Sequence, residues 1–200
     1  MARLSLNKAR LARETSDLAM YRRYLPALDL KRQQLMAARA ATRARIAALA
    51  NELAAHVETV GARLPMLADR GIAVAGLVQV TAIHRGARNV AGTPVPVLDD
   101  IDVAVAPYGY LTRPHWVDRL VVELTDALRL RLALAVEHEA LAVLDAAIAT
   151  VTRRVNLFEK VLIPRAQANI RRIRIALGDM ERAAVVTSKI AKRKREGAHA

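Results

Sequence analysis

A zinc hydrolase of the H-E-x-x-H type needs two histidines one helical turn apart with a glutamate behind the first, and His138-Glu139 supplies only half of that pattern. Position 142, where the second histidine would stand, is Ala142. The remaining histidines, His56, His84, His115 and His199, are scattered, without the i, i+4 spacing that puts two ligands on one helical face. Asp99, Asp100 and Asp102 form the densest carboxylate group, yet the ligand order of a calcium-binding loop is missing. Solvated turn residues or a docking patch fit them better. Glu137, Glu139 and Asp145 read as the solvated face of a helix. The serines are Ser5, Ser16 and Ser188, and the absence of cysteine removes thiol nucleophiles, disulfides and thiolate metal sites. Glycine-rich phosphate cradles and the nucleophile elbow are missing as well. The expectation is a chain with no catalytic residue, no cofactor and no metal.

Charge is the next candidate for function. The net charge is +13, and it is distributed as +6 over residues 1–60, −2 over 61–150 and +9 over 151–200. Two basic ends around a mildly acidic middle suggest that the ends belong together. Arg153, Arg154, Arg165, Arg171, Arg172 and Arg174 could track a phosphate backbone. Aromatic side chains that would stack on bases are not interleaved with them. A solvated face ranks first, contact with an acidic protein surface second, and nucleic-acid binding third.

The elements that carry these residues are legible from periodicity. Leu4, Leu11, Leu18 and Leu25 recur every seven residues, with Tyr21, Leu28, Leu35 and Leu49 in the companion position, followed by Ile46 and Leu53. This is a heptad seam, interrupted by Arg32 and Arg39. It predicts a helix from about Ser5 to about Val60, stopped by Gly61 and Pro65. At about 1.5 Å per residue such a helix spans roughly 80 Å. In the other arm, Leu141, Leu144, Ile148, Val151, Val155, Phe158 and Leu162 alternate by three and four. A second series follows: Ala166, Ile170, Ile173, Leu177, Met180 and Ala184. Around Leu162–Ala166 three steps of four fall in succession, a stutter that unwinds the supercoil locally, and Pro164 sits inside it. Pro26 makes a comparable irregularity in the first helix, so two bent helices are expected to pair.

Between the arms, residues 72–84 are rich in Val and Ile, and 86–110 collect Gly, Pro, Asn and Asp around short apolar runs. Short strands with turns follow, with Pro94 and Pro96 on an edge or in a connection. The chain divides into an N-terminal coiled-coil helix (1–60), a small head with short strands or a hairpin (61–115), a C-terminal coiled-coil helix (116–188) and a basic tail (189–200) expected to be disordered. The fold class is mainly α: a long antiparallel coiled coil of the terminal helices with a small β-containing head inserted between them. One Phe and one Trp suit a narrow helix seam better than a wide interior. The first residues lack the apolar core of a secretion signal, and 71–83 is too short and too β-branched for a membrane span.

The segment 152–183, TRRVNLFEKVLIPRAQANIRRIRIALGDMERA, resembles the C-terminal signature of the D subunit of the V-type (vacuolar and archaeal) ATPases. The match is carried by Arg153, Arg154, Val155, Asn156, Glu159, Ile163, Pro164 and Arg165. The N-terminal RLSLNKARLARETSDLAMYRRYLPALDLKRQQL resembles the bacterial branch of that family, although YLPALDLKRQQL departs from the Gly-His pair and Leu-Leu-Lys-x-Lys-Arg of many members. The resemblance implies a non-catalytic central rotor stalk that couples ATP turnover in a catalytic hexamer to ion translocation through a membrane ring. The partners it implies are the catalytic and regulatory nucleotide-binding subunits, the small F subunit of the stalk and a funnel-shaped adaptor on the membrane ring. It implies a cytoplasmic location, peripheral to the inner membrane, with membrane contact only through the complex. Arg153, Arg154, Asn156, Glu159, Ile163, Pro164 and Arg165 would then meet a partner. The competing readings are a basic coiled coil that binds nucleic acid and a scaffolding coiled coil.

Overall fold

The computed structural model describes residues 5–68, 74–108 and 114–198. Leu4 lies outside the described residues, as do parts of the connections around 69–73 and 109–113. Helix α1 is Lys8–Arg63, followed by a 3₁₀ turn at Pro65–Ala68. Strands β1, Val78–Val90, and β2, Thr93–Val105, come next. Helix α2 is Trp116–Leu157, a π turn covers Phe158–Leu162, and α3 is Ile163–Ala198. The chain is therefore mainly helical with one two-stranded antiparallel sheet between the arms. It forms two compact units: Met1–Lys31 with Val151–Ala200, and Arg32–Thr150.

α1 begins where Asn7 caps it, its side-chain Oδ1 accepting the Arg10 N–H at 2.8 Å. Gly61, expected to stop the helix, lies inside it, and the last turn runs to Arg63. Pro65, which has no N–H to donate, marks the true end. Within α1 a strict heptad accounts for burial. Leu11, Leu18, Leu25, Arg32, Arg39, Ile46, Leu53 and Val60 are all partly buried, as are Tyr21, Leu28, Leu49 and His56 of the companion row. The same companion row contains Glu14, Leu35 and Thr42, which are buried. Three of its seven positions are thus polar, and the chain supplies a partner for each.

In unit 2 the substantial core lies beside the end of α1. Leu64, Leu77, Trp116, Val117 and Leu120 are buried together, flanked by Val60, Leu67, Val78 and Leu124. The single tryptophan fills this cluster, which needs no further large residue. The strands are longer than expected, at 13 residues each. They meet in a two-residue turn, Ala91 and Gly92, with φ of 49° and 77°. Two successive left-handed residues match the twist of a hairpin, and the Asn89 side chain accepts the Gly92 N–H at 2.8 Å. Pro94 and Pro96 lie within β2 opposite Asn89 and Ala87. They share one parity, so both missing N–H groups fall on the open edge of the ribbon. Extra residues at Thr81 and Asp99 shift the register. Gly86 accommodates the second shift, since a Cβ there would stand 2.6 Å from the Asp99 carboxylate.

The segment 189–200, expected to be disordered, is helical through Ala198. Residues 181–195 are exposed on every side, so Met180 and Ala184, expected to continue the seam, do not; Met180 is 58% exposed.

Candidate functional site: the heptad seam and the π turn

In unit 1, the first part of α1 lies against the C-terminal arm. Tyr21 and Phe158 meet edge to face, ring centroids 5.4 Å apart and planes at 88°, a geometry that adds to apolar burial through the ring quadrupoles. Leu11 and Leu177 line one groove, with Lys8, Thr15, Arg174 and Gly178. As numbers rise from 11 to 21 on one arm they fall from 177 to 158 on the other, so the pairing is antiparallel. Val151, Val155, Ala166, Ile170 and Ile173 are buried, whereas Leu18, Leu25, Phe158, Leu162 and Leu177 are half-buried. Glu14, only 6% exposed, is held by Arg10 at 2.6 Å.

The irregularity at Pro164 has a specific form. From Leu144 to Leu177 the seam steps alternate between four and three except at Leu162–Ala166, where a four replaces a three. The series is one residue too long for a plain heptad. The structure places the surplus in the π turn Phe158–Leu162, where the Ile163 N–H bonds to the Phe158 carbonyl five residues back. This replaces the expected supercoil unwinding: a π turn absorbs one residue locally. It also widens the helix just before Pro164, whose ring would otherwise crowd the carbonyl four residues earlier and whose missing N–H would orphan it. The proline and the surplus residue are one accommodation.

The motif residues divide by face. Val155 is buried and Ile163 half-buried, whereas Arg153, Arg154, Asn156, Glu159, Pro164 and Arg165 are exposed. Leu157 and Val161 join the outer face at 46% and 48% exposure. Sequence periodicity gave no role to these two, because they fall off the seam. Basic and apolar groups on a widened helix can bind a surface, but they bring no nucleophile and no acid–base pair together.

In unit 2 the acidic residues of α2 pair with arginines, Glu139 and Asp145 staying about half exposed while Glu137 is largely covered. Arg45 forks onto Glu137, its Nε 2.9 Å and its Nη2 3.1 Å from the two carboxylate oxygens, and Nη2 also donates to the Thr42 hydroxyl at 2.9 Å. Thr42 is fully buried. Arg39 pairs with Asp145 at 2.6 Å, and Arg85 of β1 with Glu139 at 2.9 Å. Glu139 is thereby occupied by an arginine and is no partner to a histidine-bound metal. Ile148 and Leu144 face the same seam, half-buried and buried. These pairs run antiparallel too, 39 to 145 and 45 to 137. Their exposure limits each to about 1 kcal/mol or less, so they fix alignment more than they add stability.

His84 on β1 meets Asp102 on β2, Nε2 to Oδ2 2.9 Å. That hydrogen bond, then the charges of Asp102, Asp100 and Asp99, raise its pKa above the ordinary histidine value. Among the described residues no group of three or more His, Cys, Asp or Glu side chains is placed to hold a metal ion.

Known proteins match this sequence over nearly the whole chain. The family model described as the D subunit of ATP synthase matches residues 10–193. The chain belongs to the ATP synthase D-subunit family. A relative from Borreliella burgdorferi, named as the D subunit of a V-type ATP synthase, is 32% identical over 192 residues, covering 96% of this chain and 95% of its own. Relatives of the same name from Chlamydia felis and Chlamydia pneumoniae are 31% and 29% identical over 198 and 199 residues. They cover 94% and 93% of their own lengths. As a member of the D-subunit family, the chain is a component of a V-type ATPase. No helix among its described residues is long and apolar enough to cross a membrane.

Proposed function

We propose that this chain is the central axle of its V-type enzyme, a non-catalytic rotor that couples ATP turnover in a hexamer of catalytic and regulatory nucleotide-binding subunits to ion movement through a membrane ring. The observation that carries the reading is intrachain antiparallel pairing in each unit: Tyr21 on Phe158 in one, Arg45 on Glu137 in the other. A rotor must hold its own arms together while presenting an uneven outer surface. The motif residues Arg153, Arg154, Asn156, Glu159, Pro164 and Arg165, with Leu157 and Val161, supply such a surface, basic and apolar by turns.

The physical requirement for coupling is modest. Each catalytic site must experience a different contact free energy at each angle of the axle, since a partner with equal affinity for two states shifts neither. The exposed arginines meet acidic groups of the surrounding ring. The small F subunit and a funnel-shaped adaptor engage the remainder, which places the chain at the cytoplasmic side of the membrane without crossing it. Pairing within one chain favours this role over a scaffold that dimerises through the same seam.

The test is a reconstitution of the full chain with the nucleotide-binding subunits of its own enzyme and a bead attached to it. ATP is expected to drive stepwise rotation in one direction. A complex that hydrolyses ATP with the chain bound and the bead stationary would refute the role.

A further inference from the structure

Gly61 lies inside α1, one turn after Val57, and a Cβ built there would meet nothing within 4 Å. Its φ is not in the left-handed region. Nothing among the described residues therefore requires glycine at a position where alanine would hold the helix better. A bare Cα on an open helical face is suited to close approach by another backbone.

The surroundings complete a socket. His56, Val57, Val60, Leu67, Leu120 and Leu124 line an apolar cavity of about 250 Å³ beside Gly61. Val57 at its mouth is 61% exposed. Glu123 also lines it, only 6% exposed. The Glu123 Oε1 lies 2.6 Å from Arg119 and 3.8 Å from Arg63, and Oε2 lies 3.5 Å from His56 Nε2, which sits 3.0 Å from the Glu123 carbonyl. Despite that crowding, Oε1 is buried without a well-directed hydrogen bond. Arg63 and Arg119 have side chains 60% and 56% exposed. One carboxylate serves two arginines, which leaves the rim positive over an apolar floor.

We propose that this socket receives a helix of a companion subunit, crossing α1 at Gly61. The helix inserts one aliphatic anchor between Val57, Leu120 and Leu124. It brings carboxylates within reach of Arg63 and Arg119. A buried apolar anchor ringed by charge pairs is the usual composition of an interface hot spot. The inference rests on the assembly proposed above and names where and by what chemistry one companion docks.

The experiment uses full-length chain co-expressed with the companion subunits of its own enzyme, compared with Gly61→Ala, Gly61→Leu and Arg119→Glu. Gly61→Ala should raise the unfolding midpoint of the isolated chain by up to about 3 °C, yet weaken capture of one companion by about tenfold. Gly61→Leu should abolish that capture, and Arg119→Glu should reduce it with the nucleotide-binding subunits still retained. If wild type assembles and the glycine variants capture every companion equally well, the socket alone is refuted. If Gly61→Leu changes only self-association, the occupant is a second copy and the proposal falls. If wild type recruits no companion, both readings fall.

Discussion

Removing Lys160 from the π turn should turn a neutral proline into a costly one. In the native chain the π turn houses one surplus residue and gives the Pro164 ring its room. Replacing that proline alone, Pro164→Ala, should therefore gain less than about 1 kcal/mol, far below the roughly 3 kcal/mol that alanine gains over proline in an ordinary helix interior. Deleting Lys160, an exposed residue, removes the surplus and returns Ala166, Ile170 and Ile173 to the phase a plain heptad assigns them. The helix can then close as continuous α, but Pro164 now stands in its interior and costs about 3 kcal/mol. In the deletion background Pro164→Ala should recover most of that amount. The two changes should thus be coupled by about 2 kcal/mol or more. Urea unfolding followed by circular dichroism at 222 nm, on all four corners of the cycle, measures the coupling. Additivity to within about 0.5 kcal/mol would show that proline and π turn are unrelated, and the account of this arm would fail.

Tyr21→Ala and Phe158→Ala, in a double-mutant cycle, should couple by about 0.5–1.5 kcal/mol, the range for an edge-to-face pair, and a coupling near zero would remove the aromatic contact from unit 1. Leu35→Ala, at a fully buried position, should cost about 3 kcal/mol or more, whereas Glu137→Gln should cost less than about 1 kcal/mol because its arginine partner is partly exposed; thermal unfolding separates the two. The His84 ring should titrate above about 6.5 by NMR, and Asp102→Asn should lower its midpoint. Because the folded pKa is raised, the stabilisation is fully present below the unfolded value and is lost as pH rises through the folded one; a midpoint unmoved by Asp102→Asn would refute the pairing.

Seven-residue spacing of large apolar residues was enough to place both arms, although Met180 and Ala184 keep the period and are exposed. The same period, extended from Tyr21, Leu28, Leu35 and Leu49 to the residues seven before and after, reaches Glu14, Thr42 and His56. Their polarity hid them. The surplus residue near Pro164 was countable, but counting does not say whether a helix unwinds gradually or widens in one turn; the proline decides for the local answer. The strands read as shorter than they are because Pro94 and Pro96 suggest connections, and a strand tolerates prolines in its interior only where their missing N–H groups fall on its open edge. The ion pairs of Glu137, Glu139 and Asp145 were not legible, since their arginines lie about 50 to 100 residues away in sequence. Socket geometry at Gly61 was likewise invisible, since a glycine near a helix end ordinarily signals a stop.

A zipper of leucines alone would mate equally well after sliding by one heptad. Within unit 2 the row that carries Leu35 also carries Thr42, tied through Arg45 to Glu137, with Arg39 on Asp145 nearby. A slide of seven residues would keep grease against grease but strand a buried hydroxyl and separate two forked or paired charges. These weak bonds act as teeth: small in stabilising energy, they make every wrong alignment expensive and leave the helices of this unit one way to mesh.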